Sequence, residues 1–252
     1  AALPSIEKYT VRIQMKKILN VTILSAAIAA FAAGNANADA NAVYAGISAA
    51  EDSTFGYIGG IRAWNGDISK SGFLLRGKVL YGEYDYKTTA VPGGDVDGDA
   101  YHIELGIGYQ WVNPSNRISL YGGVDHQNHA LRPNDTRNST RGSTTGAAVQ
   151  GETETLGQPW YGGLIGKYST ANDTYWVRGR AGYKFGSVTV GPEAIGAGNN
   201  EYSETRYGLF LGFAATKSTA VSLSAGHRRA DGDNDRKNQS GGYLGVDVST
   251  TF

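Results

Sequence analysis

Apolar and polar positions alternate from Tyr101 to Trp111. Tyr101, Ile103, Leu105, Ile107, Tyr109 and Trp111 share one parity, and His102, Glu104, Gly106, Gly108 and Gln110 share the other. A period of two belongs to a β-strand with one apolar and one polar face. One such strand fits the core sheet of a soluble sandwich as well as the wall of a membrane barrel. Alternating segments recur between clusters of Gly, Asn, Asp, Ser and Pro. They predict strands at 43–49, 54–64, 72–86, 99–112, 117–128, 144–156, 159–170, 174–184, 187–198, 203–215, 219–230 and 240–252. No amphipathic helix pattern follows Asp39. About twelve strands is an even number, as bacterial outer-membrane barrels have.

The connections help choose between sandwich and barrel. With both termini on the periplasmic side, the short connections at 65–71, 113–116, 157–158, 185–186 and 216–218 fall there, and the longer ones at 87–98, 129–143 and 231–239 fall opposite. That sorting is expected of an outer-membrane barrel and has no cause in a soluble sandwich. Parity agrees. Tyr175, Val177, Ala181 and Tyr183 alternate with Trp176, Arg178, Arg180 and Lys184. Tyr207, Leu209, Leu211 and Phe213 alternate with Arg206, Gly208, Phe210 and Gly212, and Leu244, Val246 and Val248 with Tyr243, Gly245, Asp247 and Ser249. Charges keep almost wholly to the non-lipid parity, where they avoid the roughly 2–4 kcal/mol that Arg or Lys costs on a lipid face at mid-bilayer. The expected fold is an all-β transmembrane antiparallel barrel, and the aromatic Phe252 closing its last alternating strand resembles the terminal signal of such proteins.

Composition narrows the partners. In 252 residues, Lys+Arg and Asp+Glu each number 23, so no net field draws the chain to nucleic acid. With no cysteine, disulfides, thiolate metal sites and cysteine nucleophiles are all excluded. The 36 Gly and 16 Tyr fit a sheet protein with close backbone approaches. Near the N-terminus, Met15, Lys16 and Lys17 precede the apolar run 18–33 and the small-residue site Ala36-Asn37-Ala38. This reads as a signal peptide at 15–38, with 1–14 an upstream extension and 39–252 the barrel domain.

Along the exported part, Asn65-Gly66-Asp67, Gly72-Phe73-Leu74-Leu75-Arg76, Gly108-Tyr109-Gln110-Trp111, Gly123-Val124-Asp125, Arg141-Gly142, Asp173-Thr174-Tyr175-Trp176, Gly182-Tyr183 and Gly191-Pro192-Glu193 occur in order. The ordered set resembles the cellulose biosynthesis protein BcsS family. The resemblance implies an exported accessory protein associated with bacterial cellulose synthesis, and it carries over no catalytic residue. The barrel pattern and signal peptide add the outer membrane of a Gram-negative bacterium as the expected location. The expected function is a non-enzymatic accessory of cellulose production or export.

Parity assigns to the lumen Arg62, Arg76, Lys78, Lys167, Arg178, Arg180 and Arg206, against Glu104, Asp125, Glu152, Glu154, Glu193 and Asp247. A single-sign lining would suggest an ion-selective channel, whereas mixed charges in a narrow barrel pair across strands and fill it. A passive small-solute channel is the alternative. A lipid or glycan hydrolase is a further one, resting on the run Asp125-His126-Gln127-Asn128-His129, although no serine nearby carries a nucleophile signature. Asp95-Val96-Asp97-Gly98-Asp99 and Asp231-Gly232-Asp233-Asn234-Asp235 present oxygens that could hold calcium. No Glu completes either site, and these are ordinary turn formers, so no metal or cofactor is expected. Trp64, Trp111 and Trp160 fall near strand ends as an interfacial girdle, while Trp176 and Phe210 turn inward as the candidate glucan contact. The expected partners are outer-membrane lipid and lipopolysaccharide, with cellulose or its secretion components beyond them.

Overall fold

The computed structural model describes residues 39–232 and 236–252; the expected signal peptide and the residues before it lie outside that range. Among the described residues the strands are β1 (Asn41–Ala50), β2 (Ser53–Ala63), β3 (Gly72–Lys87), β4 (Asp95–Val112), β5 (Asn116–Arg132), β6 (Gly142–Thr155), β7 (Trp160–Ser169), β8 (Thr174–Phe185), β9 (Val188–Asn199), β10 (Tyr202–Ala214), β11 (Thr219–Gly232) and β12 (Gln239–Thr251). A short 3-10 turn, Ala171–Asp173, joins β7 to β8. Each strand pairs antiparallel with the next, and β12 returns to β1, so the sheet closes on itself. Closure removes the free edges that would otherwise expose unpaired backbone groups, as a spanning sheet requires.

Alternation sets the two faces. On β4, Leu105 and Ile107 point outward and are 61% and 66% exposed, while Glu104 and Gln110 point inward and are buried. Leu120, Val149, Leu164, Leu209, Leu223 and Leu244 continue the exposed apolar band around the barrel. Near the end where Asn41 meets Phe252, outward rings gather. Phe73 meets Tyr109 at 5.1 Å, Tyr109 meets Trp111 at 4.9 Å, and Trp160 meets Tyr183 at 4.8 Å between centroids. Tyr81, Tyr101, Tyr168, Tyr175 and Tyr207 are exposed toward the opposite end. An apolar band between two aromatic girdles is the exterior of an outer-membrane-type β-barrel.

Inside, large rings need small partners. Phe55 faces Gly82 and Tyr84 faces Gly98 across adjacent strands. A Cβ at either glycine would fall on the ring carbons of its partner, so the rings lie flat against the wall. High Gly and Tyr counts are therefore two halves of one packing device.

Both mouths carry folded connections. At the near mouth, Asn41 and Phe252 bond to each other, and residues 64–71 turn inward. Ile68 is buried against Ala63, Leu74 and Tyr121, and Gln110 Nε2 donates to the carbonyls of Ile68 at 2.8 Å and Lys70 at 2.6 Å. In the same turn, hydrogen bonds from Ser69 and the nearby Lys70 lower the Asp67 carboxyl to about 2. At the far mouth, residues 133–141 form a strap. Asp135 and Asn138 bond the Tyr86 hydroxyl on β3, at 2.8 and 3.1 Å, while Ser139 bonds Glu201 between β9 and β10, across the ring.

Two expectations change. Residues 95–98 are strand rather than loop, and β5 runs on to Arg132. Inward Val96 and Leu131 pack with Tyr86, while outward Asp99 pairs with Arg132, so the hairpin continues through residues that look like turn formers. The length sorting is also weaker than expected, because 64–71 is longer than 88–94 on the far side. Its inward packing explains the extra length.

Candidate functional site

The lumen is the site. Its cavity of about 880 Å³ is lined by residues of both ends, from Leu156 and Thr251 at the near mouth to Tyr86 and Lys237 at the far mouth. Inward parity brings the charged side chains into this space, and closure sets them face to face.

On the β3–β7 side, Glu104 accepts from Lys78 at 2.8 Å and from Lys167 at 2.5 Å. Lys167 also meets Asp125 at 2.9 Å, and Gln127 Nε2 donates to the same carboxylate at 2.9 Å. On the opposite side, Asp247 of β12 is held by Arg178 at 2.9 Å, Arg180 at 3.1 Å and the Tyr57 hydroxyl at 2.5 Å. Arg180 continues to Glu193 at 2.5 Å, which also accepts from the Tyr243 hydroxyl at 3.0 Å. Toward the far mouth, Glu204 takes Arg206 at 2.7 Å and Arg228 at 2.6 Å, and Arg228 reaches Asp52 at 2.5 Å. Toward the near mouth, Arg117 pairs with Glu154. Arg76 donates to the Tyr44 hydroxyl at 2.8 Å, its guanidinium 5.6 Å from the Tyr44 ring centre and 5.3 Å from that of Tyr121. Gln150 Nε2 bonds Glu152 at 2.5 Å.

Such shared carboxylates matter energetically. Away from bulk water each unpaired charge would be costly, and a carboxylate bridging two cations satisfies several donors at once. The lining is thus cross-linked from strand to strand by ion pairs.

Most of the residues assigned inward by parity meet here. Arg62 is the exception. The inward row of β2 is Phe55, Tyr57 and Ile61, so Arg62 takes the opposite parity; it is exposed at the near rim, 3.4 Å from the Asn41 side chain. Trp176 lines the cavity beneath the Arg178 guanidinium, at 5.4 Å. Phe210 is 4% exposed, covered by Arg180 at 5.0 Å and packed on Tyr161 at 5.7 Å. Sequence reasoning passed over Glu204 and Arg228, although each continues the inward row of its strand. It also passed over Asp52, which lies in a turn where parity gives no guidance.

The histidine run separates. His126 faces outward and bonds Thr145 at 2.8 Å, whereas His129 faces inward, its Nδ1 3.1 Å from the Tyr84 hydroxyl. No base and orienter converge there. Of the two Asp-rich segments, the first is strand, and 233–235 of the second lie outside the described residues.

Fold and lumen together define an outer-membrane-type barrel whose interior is a paired ionic lining. The chain belongs to the cellulose biosynthesis protein BcsS family, whose model matches residues 42–252. Among curated proteins none matches it. The structure is similar to the KdgM porin in complex with disordered oligogalacturonate, at 10% identity over 84% of this chain and 99% of that one, with a TM-score of 0.43. It is also similar to LpxR from Salmonella typhimurium, at 11% identity over 84% and 100%, TM-score 0.45. A third is outer membrane phospholipase A from Escherichia coli, at 13% identity over 84% and 96%, TM-score 0.41. At these identities and scores the likeness carries no function to this chain.

Proposed function

We propose that this chain is a non-enzymatic accessory of cellulose production or export, seated in the outer membrane of a Gram-negative bacterium. The family supplies the pathway, and the observation that supports the role is the paired lining. Glu104, Asp247 and Glu204 each bind two cations, which spends the lumen's charge on the wall itself. Such a lumen suits holding a component in place. The strap at 133–141 and the inward turn at 64–71 speak against a passive solute channel, and the splitting of His126 from His129 speaks against a hydrolase at that run.

The apolar band is the contact with membrane lipid, and the exposed far rim is the contact with lipopolysaccharide. Cellulose or its secretion components are the functional partners, with Trp176 a lumenal contact for glucan and Phe210 the support behind Arg180. Deletion in the source bacterium, with cellulose yield and membrane fractionation measured together, tests this reading. The expected result is reduced yield on loss of a protein found in the outer-membrane fraction. Unchanged yield under synthesis conditions would end the cellulose role.

A further inference from the structure

Three inward rings climb one wall of the lumen toward the far mouth. Phe55 and Tyr84 are near-parallel, with centroids 6.3 Å apart and planes 12° apart, and Tyr84 and Tyr86 repeat the spacing at 6.3 Å and 19°. The first two lie flat on Gly82 and Gly98, so each turns its free face to the cavity it lines. The third is closed by the Arg236 guanidinium, 3.9 Å from its ring centre. The row is thus an open platform of two rings with a covered upper step.

Polar atoms without a hydrogen-bond partner among the described residues gather around it. His129 Nε2 is one, on the ring whose other nitrogen meets the Tyr84 hydroxyl. Asp52 Oδ2 is the second, in the turn whose carbonyl accepts from the backbone N–H of Asp85 beside Tyr84, at 2.8 Å. Arg236 Nη2 is the third, with only a 3.7 Å ion pair to Glu201. Buried polar groups are ordinarily satisfied, so three unspent ones beside flat apolar faces mark a place built for a ligand.

The chemistry that fits is a sugar. The C–H face of a pyranose covers an aromatic ring, while its rim of hydroxyls both gives and takes hydrogen bonds, matching a free ring nitrogen, a carboxylate oxygen and a guanidinium nitrogen. Two successive parallel platforms suit an extended chain of flat units. The ion pairs elsewhere in the lining leave no single-sign field, which selects a neutral chain over an anionic one.

We propose that Phe55 and Tyr84, flanked by His129, Asp52 and Arg236, form a binding site for a neutral linear oligosaccharide of β-linked glucose. The choice of glucose rests on the cellulose reading above. Entry from the far mouth passes the 133–141 strap and the Arg236 cover.

Calorimetric titration of the full-length, detergent-folded barrel with cellohexaose tests it, with maltohexaose as the curved-chain comparison. Saturable binding of cellohexaose, weaker for maltohexaose, is expected. Phe55→Leu and Tyr84→Leu should each weaken it about tenfold, the size of one lost ring contact. Tyr207→Leu on the outer face should bind as the parent does. If Tyr84→Leu does not fold, Phe55→Leu carries the comparison. No cellohexaose binding by the folded parent, equal affinity for maltohexaose, or parental affinity in a folded ring-deleted variant would overturn the site. Binding at the ring row with normal cellulose yield on deletion keeps the site and ends the cellulose role. Reduced yield without binding does the reverse.

Discussion

On β4 alone, two neighbouring residues live in different solvents. Leu105 is 61% exposed in the apolar band, while Glu104 is buried between Lys78 and Lys167. The outer face is defined by what it lacks: among the described residues its middle row is apolar, as at Leu105, Ile107, Leu120 and Leu209. The inner face is defined by connection. Glu104 on β4 meets Lys167 on β7, and Asp247 on β12 meets Arg178 and Arg180 on β8. The inside therefore depends on particular partners, and the outside on apolar character.

The sharpest way to break this contrast is from within. Asp247→Ala leaves Arg178 without its carboxylate and removes the acceptor of the Tyr57 hydroxyl. A loss of about 3–5 kcal/mol in chemical unfolding from lipid vesicles is expected, the scale for breaking a buried pair on one side. From outside, Leu105→Lys places a charge in the lipid band and should cost about 2–4 kcal/mol in the same assay. Leu105→Val, which stays apolar, should fall well short of that. If Leu105→Lys proved harmless, the outer band would not be facing lipid.

The smallest effect lies at the near-mouth turn, outside both faces. Hydrogen bonds from Ser69, with Lys70 beside it, hold the Asp67 carboxyl at about 2, below the ordinary 3.8. Because the folded value is depressed, the turn's contribution is fully present above 3.8 and is lost as pH falls through about 2. Carboxyl-carbon NMR should show Asp67 titrating in that window, and Ser69→Ala should move its midpoint upward.

The two faces also differ in how legible they were. Parity alone identified the outward row of β4 and the inward Arg178 and Arg180, because a strand has only two sides. It misassigned Arg62, where the β2 row had to be counted from Tyr57, and it missed Glu204 and Arg228 despite their regular spacing. Partners across the lumen were not legible. Tyr57 and Asp247 are 190 residues apart, and only barrel closure and strand tilt bring them to 2.5 Å. The Asp95–Asp99 segment misled for a local reason, since Asp and Gly signal turns unless a neighbouring strand supplies Arg132 and an apolar cluster to extend the hairpin. Family membership was legible through the order of many short segments, none specific alone.

On the proposed role the inner face pairs its own charges across strands instead of conducting ions. Planar-bilayer recording of the purified barrel measures this directly. With the strap at 133–141 and Ile68 of the 64–71 turn in place, no sustained stepwise conductance is expected. Stable, repeated conductance steps from the intact protein would contradict the account and make the lumen a channel.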